Sequence, residues 1–457
     1  MHKLVIRTGL FLVTLLLLSG GAGAEEEEAA FTRSGIKEKK TMTRTEDFVV
    51  VHGRKLKNNL YKTIRNMSLF SSIGGRARPI PFQIDELNPE GEWVLTKIPL
   101  HLQGTSIEPE KDDDNGHLDK NDELVFMVRD SGDRIPKEQY PQGALAVDEI
   151  TLADPIDGNK SWVYLCSFLE NPPRSDKDYV DYVFPKDQMD YVISGNYKIG
   201  YTPELPNSPS YISIGGSKNI LDRMKIRFTV KILGIPFDFN EDLFWSRLSL
   251  YNDGPIRVIR RTRNAIQLTK TFRSSSAAIE NVMYDNASVV PFRIKLPVSL
   301  KWLKRIFNMT GRSGADFQNM HGWQVKTNVD PRWLNVDGKM DEIEKEIGGE
   351  NFNWFVVKGP EGAFMIRAIF NRKPDGSFQD TPLSSSLYYL DDDTALDPPE
   401  SVPGQSPHIG YWMNGMNELP RGTFYIYPIM YLIKNYKEGA ENDFIKILDQ
   451  QIRVMVD

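Results

Sequence analysis

Alternation of apolar and polar residues with a period of two dominates the chain from about residue 48 onwards. In the segment KIRFTVKI, apolar residues occupy every second position from Ile226 to Ile232, and Lys, Arg or Thr occupies the positions between them. The segment PFRIKLPV repeats this arrangement from Phe292 to Val298. Successive side chains of a strand point to opposite faces of a sheet, so the pattern predicts half-buried β-strands whose apolar residues face a core.

Turn residues separate these strands at short intervals. Pro presets φ, Gly allows a positive φ, and Asp or Asn bonds its own backbone, as in DPIDGNK (Asp154–Lys160) and GPEG (Gly359–Gly362). Strands on either side of such turns predict hairpins over residues 149–168 and 354–370. The fold class predicted is therefore all-β, mainly antiparallel, with two β-sandwich-like domains.

Helical patterns are few. SLKWLKRIFNM (residues 299–309) and KMDEIEKEIGG (residues 339–349) predict one or two short inserted helices, the second ending at the glycine expected of a helix stop. The first has apolar residues on one side and Lys301, Lys304 and Arg305 elsewhere, which is typical of a helix on a membrane surface. Because the segment is short, a helix packed on the β-domain is the preferred interpretation.

The N-terminal residues are typical of a secretory signal peptide, with Lys3 and Arg7, an apolar segment and small residues up to Ala24. We therefore expect export, to the periplasm or cell surface of a bacterium, and no transmembrane segment after cleavage. Residues 25–45 are charged and predict a disordered lead-in.

The Pro-rich connector at residues 170–178 predicts a boundary between an N-terminal β-domain, residues 46–172, and a larger C-terminal β-sandwich domain, residues 173–457. A single large sandwich is the alternative.

An acidic loop, KDDDNGHLDKNDELVF, spans Lys111–Phe126. If Gly116 is the sixth position, the loop resembles the calcium-binding loop of an EF-hand, in which oxygen ligands alternate around a sharp turn. The predicted structural calcium site comprises Asp113, Asn115, Asp119, Asp122 and Glu123. Lys111 at the first position departs from the pattern, and ELVFM predicts a buried strand after the loop where an EF-hand has a helix. A solvated acidic turn is the alternative.

Composition narrows the possible functions. The chain has 56 Lys and Arg against 62 Asp and Glu, a formal net charge of −6, which argues against a general nucleic-acid binder. Its one cysteine, Cys166, lies in an apolar run and is predicted to be a buried hydrophobic residue. The sequence contains no HExxH, GxSxG, GxxxxGK[ST] or GxGxxG motif, so no catalytic signature demands an enzyme.

Aromatic residues in the C-terminal half provide the candidate ligand site. They occur in polar segments such as MHGWQV and HIGYWMNG, where an aromatic face beside polar groups could bind a sugar ring. The candidate ligand-binding residues are His321, Trp323, His408 and Trp412. The alternative, which is favoured, is that these tryptophans fill a β-core and its loop caps. A second acidic segment, residues 391–400, lacks the calcium-loop spacing and predicts a solvated loop.

Three functions remain open on this sequence. The first is a non-enzymatic envelope or surface protein that binds a glycan or another exported protein. The second is a polysaccharide lyase or hydrolase with its site in a groove of the C-terminal domain. The third is a factor that contacts lipid through the basic helix at residues 299–309. The first is preferred because no motif requires chemistry.

Overall fold

The computed structural model describes residues 35–103, 107–111, 116–185, 189–267, 272–370, 372–373, 377–397, 403–404 and 406–457. The predicted signal peptide lies outside these ranges. Strands dominate the described chain, and in chain order they are β1 Phe48–His52, β2 Met67–Ile73, β3 Arg76–Ile80, β4 Gln83–Asp85, β5 Glu123–Met127, β6 Ala146–Ala153, β7 Lys160–Ser167, β8 Val180–Val183, β9 Asp190–Ser194, β10 Tyr197–Tyr201, β11 Tyr211–Ile214, β12 Leu221–Ile232, β13 Ile235–Phe239, β14 Phe244–Asp253, β15 Arg257–Ile266, β16 Ala277–Tyr284, β17 Ala287–Val289, β18 Phe292–Leu296, β19 Phe307–Phe317, β20 Gln324–Thr327, β21 Leu334–Asn335, β22 Trp354–Lys358, β23 Gly362–Ile369, β24 Ser384–Leu390, β25 His408–Asn414, β26 Gly422–Lys434 and β27 Arg453–Val456.

Five antiparallel sheets contain these strands. A ten-stranded sheet has the order β14-β15-β16-β17-β26-β23-β22-β20-β21, with β18 also paired to β26. Two smaller sheets are β1-β5-β4 and β11-β10-β9-β8, and a five-stranded sheet is β27-β6-β7-β2-β3. The second five-stranded sheet, β13-β12-β19-β25-β24, is called the platform sheet below. The all-β, mainly antiparallel prediction is confirmed, and both predicted hairpins form, as β6–β7 and β22–β23.

Helices are short in the described chain: α1 Leu300–Leu303, α2 Glu342–Glu346 and α3 Ala440–Asp449. The prediction for residues 299–309 was too long, because Phe307 already begins β19 and pairs with Ile232. Helix α2 forms inside its predicted segment, where Asp341 and Glu344 make a reciprocal capping box. The sequence patterns missed α3. No helix among the described residues is both long and apolar enough to cross a bilayer.

The predicted disordered lead-in is shorter than expected. Lys37 and Glu38 donate backbone hydrogen bonds to the Arg134 carbonyl, and Thr41 and Met42 donate to that of Lys160. Residues in this segment therefore have partners on the N-terminal β-domain, which replace the water that a charged segment would otherwise bind. The prediction for residues 25–45 is wrong at least from residue 37 onwards.

Packing crosses the predicted domain boundary at residues 172 and 173. Strand β27, at the C-terminal end, pairs with β6 and so belongs to a sheet of the N-terminal domain. One core cluster also joins Val125 and Met127 from β5 to Ile259 and Ile429 from the ten-stranded sheet. The ranges 46–172 and 173–457 describe most of the strand pairing, but they do not separate two independent cores.

A buried arginine, Arg257 on β15, lies at this junction. Its Nε donates to Asp85 at 2.8 Å, and its Nη2 donates to Glu123 at 2.6 Å. The hydroxyl of Tyr284 lies 3.1 Å from Nη1. Burial raises the pKa of Asp85, whereas at Glu123 the effect of burial is outweighed by Arg257, which lowers the pKa of that carboxyl. One cation thus compensates two carboxylates from β4 and β5.

Candidate functional site

One face of the platform sheet is polar, and strand register determines which residues share it. Arg227 on β12 lies opposite Arg312 on β19, and Arg312 lies opposite Trp412 on β25. Four residues further along the strands, beyond the row of Gly314, Asp316 lies opposite His408. Because alternate residues of a strand share a face, these side chains project from the same side of the sheet.

Two glycines occupy the middle of this face. Gly314 and Gly410 lie directly opposite each other, in a row that continues to Lys225 on one side and Tyr388 on the other. A Cβ on Gly314 would approach the Ile409 carbonyl oxygen to 2.4 Å, and one on Gly410 would approach that of Ser313 to 2.3 Å. Larger residues are therefore excluded, and only Lys225 and Tyr388 contribute side chains to this row.

A buried charge cluster lies beside the glycines. Asp316 Oδ1 is 2.6 Å from His408 Nδ1, and Asp316 Oδ2 is 2.8 Å from Lys225 Nζ. All three side chains are almost fully buried. Burial alone would raise the pKa of Asp316, but its contacts with His408 and Lys225 outweigh burial and hold that pKa below its ordinary value. The carboxylate is therefore ionised and compensates the lysine.

An aromatic platform, defined by Arg312, Tyr388 and Trp412, occupies the more open part of the same face. The rings of Tyr388 and Trp412 meet edge to face, with centroids 6.2 Å apart. The Arg312 guanidinium lies 4.0 Å from the Tyr388 centroid and 5.9 Å from that of Trp412. Asp397 holds the guanidinium through two contacts of 2.7 and 2.8 Å. Trp412 itself is 41% exposed, so one large aromatic surface remains accessible.

The four predicted ligand residues do not form a single group. His408 and Trp412 share the polar face of β25, but His408 is buried and Trp412 is exposed. Trp323 is buried in the core, with its indole ring packed against Gly359, as the alternative interpretation expected. His321 is exposed and lies with Nε2 3.0 Å from Asp393 Oδ2. Of the four, Trp412 is the member that is placed to contact a ligand beside other aromatic residues.

The acidic segment after β24 is not the solvated loop that the sequence predicted. The Asp391 carboxylate is fully buried and accepts hydrogen bonds from the backbone N–H groups of Asp337 and Gly338 at 2.8 and 3.1 Å. Asp397 contacts Arg312 on the polar face of the platform sheet. The described part of this segment therefore lies against the sheet because its carboxylates find buried partners.

Four residues of this site were missed by the sequence patterns: Lys225, Arg312, Asp316 and Tyr388. The alternation in β12 correctly separated Lys225 from Ile226, but a half-buried strand places only the apolar face against the core. Glycines inside a strand, such as Gly314, can indicate a close approach of another backbone, and this signal was available. The carboxylates that pair with Lys225 and Arg312 come from segments far away in sequence, so residue spacing could not predict these ion pairs.

The predicted calcium site is only partly described, because Asp113 and Asn115 lie outside the described residues. Asp119 and Asp122 are adjacent: the Asp122 carboxylate accepts hydrogen bonds from the backbone N–H groups of Asp119 and Leu87, at 2.8 and 3.0 Å. Burial raises the pKa of Asp122 to about 7. The Glu123 carboxylate forms an ion pair with Arg257, so it belongs to the buried contact between β5 and the ten-stranded sheet. The predicted buried strand after the loop is confirmed as β5.

No group of three or more His, Cys, Asp or Glu side chains arranged to hold a metal occurs among the residues that the structure describes. Gly116, the proposed sixth position, has φ of 89°, as the sharp turn requires. Its N–H donates to the Glu86 carboxylate, whose charge adds to the effect of burial in raising the pKa of Asp122. Oxygen donors of this kind suit calcium, and calcium binding stays a prediction.

Thermal unfolding with calcium and with a chelator tests whether the acidic loop binds calcium. An ion that binds only the folded state raises the midpoint by mass action, so we expect calcium to raise the Tm of the parent by a few degrees. The Asp113→Ala, Asp119→Ala double variant should lose this increase, whereas Asp157→Ala, in an exposed turn elsewhere, should keep it. Equal midpoints of the parent in calcium and in chelator would contradict calcium binding by this loop.

Cys166 has no role in the site. It is buried on β7 and is a free thiol, and burial raises its pKa to about 12, so it is protonated at neutral pH. The prediction that this cysteine is a buried hydrophobic residue is confirmed.

Comparison with known proteins adds little to this geometry. No protein-family model matches the chain, and no curated protein matches it. Among solved structures, the chain is similar to an alpha-mannosidase from Enterococcus faecalis V583, with a TM-score of 0.43 and 8% sequence identity. The similarity covers 93% of this chain and 45% of that chain, so this protein spans less than half the length of the mannosidase structure.

Proposed function

We propose that this protein is an exported, non-enzymatic binding protein that recognises a glycan on the aromatic platform. The observation that supports this most directly is the exposure of Trp412 beside Tyr388 and Arg312 on an otherwise polar face. The faces of sugar rings carry C–H groups that pack on the electron-rich face of an indole, while their hydroxyl groups bond to neighbouring polar side chains.

Polar partners for those hydroxyl groups surround Trp412. Ser386 lies opposite it on β24, and Asn414 follows it by two residues on the same face of β25. Asn414 Nδ2 donates to Ser386 Oγ at 2.7 Å, so the two side chains hold each other in place. The two contacts between Arg312 and Asp397 likewise fix the guanidinium. A preorganised surface of this kind loses little side-chain entropy on binding.

Catalysis by a lyase or hydrolase is less well supported by the same face. A general acid or base must lie within hydrogen-bond distance of the substrate. The titratable side chains of this face that could take that role are buried, namely Lys225, Asp316 and His408. Their mutual contacts compensate charge, which is sufficient reason for their burial.

Titration calorimetry with cellohexaose, mannohexaose and hexagalacturonate tests the proposal. We expect at least one of these oligosaccharides to bind, and the Trp412→Ala variant to bind it about tenfold or more weakly, because an aromatic residue at the centre of a contact contributes the most. Trp302→Ala, which removes a more exposed tryptophan on α1, is the matched control and should bind like the parent.

Two results would contradict glycan binding at this site. One is the absence of heat with all three oligosaccharides, and the other is equal affinity of Trp412→Ala and the parent. Chromatography of the same mixtures separates binding from catalysis: shortened products that disappear with His408→Ala would support the enzyme in place of the binding protein.

A further inference from the structure

Large apolar side chains are exposed at one end of the platform sheet, where β12 and β13 form a hairpin. Every residue from 231 to 238 is exposed. Leu233 at the turn donates its backbone N–H to the Ile306 carbonyl at 2.8 Å, which places the segment after α1 beside the hairpin. The exposed apolar residues of this region define the apolar tip: Ile232, Leu233, Ile235, Phe237, Trp302 and Ile306.

The hairpin part of the apolar tip lies on one face of adjacent strands. Ile232 pairs with Ile235 on β13 and with Phe307 on β19, and Val230 pairs with Phe237. This is the face that alternation predicted to be buried. Phe239, further from the turn, does stack on Phe228, so the apolar face is covered near its base and exposed near its end. Contiguous exposed apolar surface of this kind marks an interaction site.

The turn itself carries an unexpected residue. Leu233 has φ of 51° and Gly234 has φ of 85°, the left-handed pair of a two-residue hairpin turn. The first position of that turn favours Asn, Asp or Gly, because a larger side chain is strained at positive φ. Leu233 is 73% exposed, so packing within the chain does not compensate this strain. An apolar side chain at this position is explained if it contacts something outside the chain.

Basic residues surround the apolar tip although the whole chain has a net charge of −6. Lys231 lies on the hairpin, and Lys301, Lys304 and Arg305 lie on or next to α1, all of them exposed. Among the described residues, the acidic Glu418 lies 3.3 Å from Lys304, and Asp238 lies on β13. The local charge is therefore positive, opposite in sign to the chain as a whole.

We propose that the apolar tip inserts into the surface of a bilayer that contains anionic lipid. Leu233, Ile235 and Phe237 would enter the boundary between headgroups and acyl chains, where Trp302 also has both an apolar ring and a polar N–H to satisfy. The lysines and Arg305 would remain among the headgroups and attract their negative charge. A second copy of this chain fits less well, because a symmetric contact would bring two basic rims together.

Co-sedimentation of the full chain with vesicles tests this proposal without any glycan. We expect the protein to bind phosphatidylcholine vesicles containing roughly 30% phosphatidylglycerol and to bind phosphatidylcholine alone much more weakly. Leu233→Asn should reduce the partition coefficient about tenfold, since it removes one inserted apolar side chain. Asn suits positive φ, so this variant should fold at least as well as the parent.

Leu169→Asn is the matched control, because Leu169 is 77% exposed at another part of the surface, and it should bind vesicles like the parent. The Lys301→Gln, Lys304→Gln double variant should lose about tenfold or more of its binding to anionic vesicles and little of its binding to neutral ones.

Three results would overturn the proposal. The parent could stay in the supernatant with anionic vesicles, or Leu233→Asn could sediment as the parent does. The third is a concentration-dependent dimer that Leu233→Asn dissociates, with no vesicle binding, which would assign the apolar tip to a second copy. None of these results bears on Trp412, which is tested separately.

Discussion

Replacement of Arg257 by methionine is expected to reduce the free energy of unfolding by about 3–5 kcal/mol, the range typical of a buried ion pair that loses one partner. The guanidinium is buried against Asp85 and Glu123, and its removal would leave these two largely buried carboxylates without their cation. Denaturant unfolding followed by tryptophan fluorescence measures the loss. The effect should be large because this residue joins β4 and β5 to the ten-stranded sheet.

Arg263→Met is the control for this prediction, since Arg263 is exposed on the same strand and should change stability by no more than about 0.5 kcal/mol. Adding Asp85→Asn and Glu123→Gln to the Arg257→Met variant should recover part of the loss, because neutral amides are less costly to bury than unpaired charges. If Arg257→Met and Arg263→Met unfold at the same denaturant concentration, the junction does not depend on this ion pair.

Asp316→Asn is expected to destabilise the platform sheet by about 3 kcal/mol at neutral pH, because the Lys225 ammonium would remain buried without its nearest counter-charge. The proposed glycan binding at Trp412 should weaken only to the extent that the sheet unfolds. Thermal unfolding monitored by circular dichroism provides the measurement, and Asp238→Asn, an exposed aspartate on β13, is the control.

The pH dependence separates a charge effect from a packing effect at Asp316. Its pKa is lower in the folded protein than the value of about 4 expected when unfolded, so its stabilising contribution is present above that value. As pH falls through the folded pKa, the contribution is lost. The parent should therefore lose stability below about pH 4 more steeply than Asp316→Asn. Parallel curves for the two proteins would mean that the carboxylate charge contributes nothing.

The strands and their hairpins were predictable because their signals are local. Alternation in residues 225–232 identified β12, and the turn residues between β6 and β7 identified that hairpin. The helix signal at residues 299–309 was also local, but it was outweighed from Phe307 onwards by pairing with Ile232 on another strand. The helix propensity of a short segment contributes less free energy than the backbone hydrogen bonds that a strand makes with its neighbours in a sheet.

The site was less predictable for a related reason. Trp412 could be chosen from its polar neighbours in sequence, and Trp323, chosen on the same grounds, is in the core. The two tryptophans lie in different parts of the fold, Trp323 buried and Trp412 exposed. The local sequence around a tryptophan does not show which remote element packs over it. Alternation along β12 predicted that its apolar residues are buried. In the structure Ile232 is exposed and Lys225 is buried on this strand.

The sequence by itself determined the period of the strands, the position of most turns, the all-β class and the burial of Cys166, because each depends on neighbouring residues and on the geometry of the extended chain. Only the tertiary structure decided which polar residues are buried and which apolar residues are exposed. Those outcomes depend on contacts between segments far apart in sequence, such as Arg257 with Asp85 or Arg312 with Asp397. A buried charge is tolerated only where folding supplies its partner.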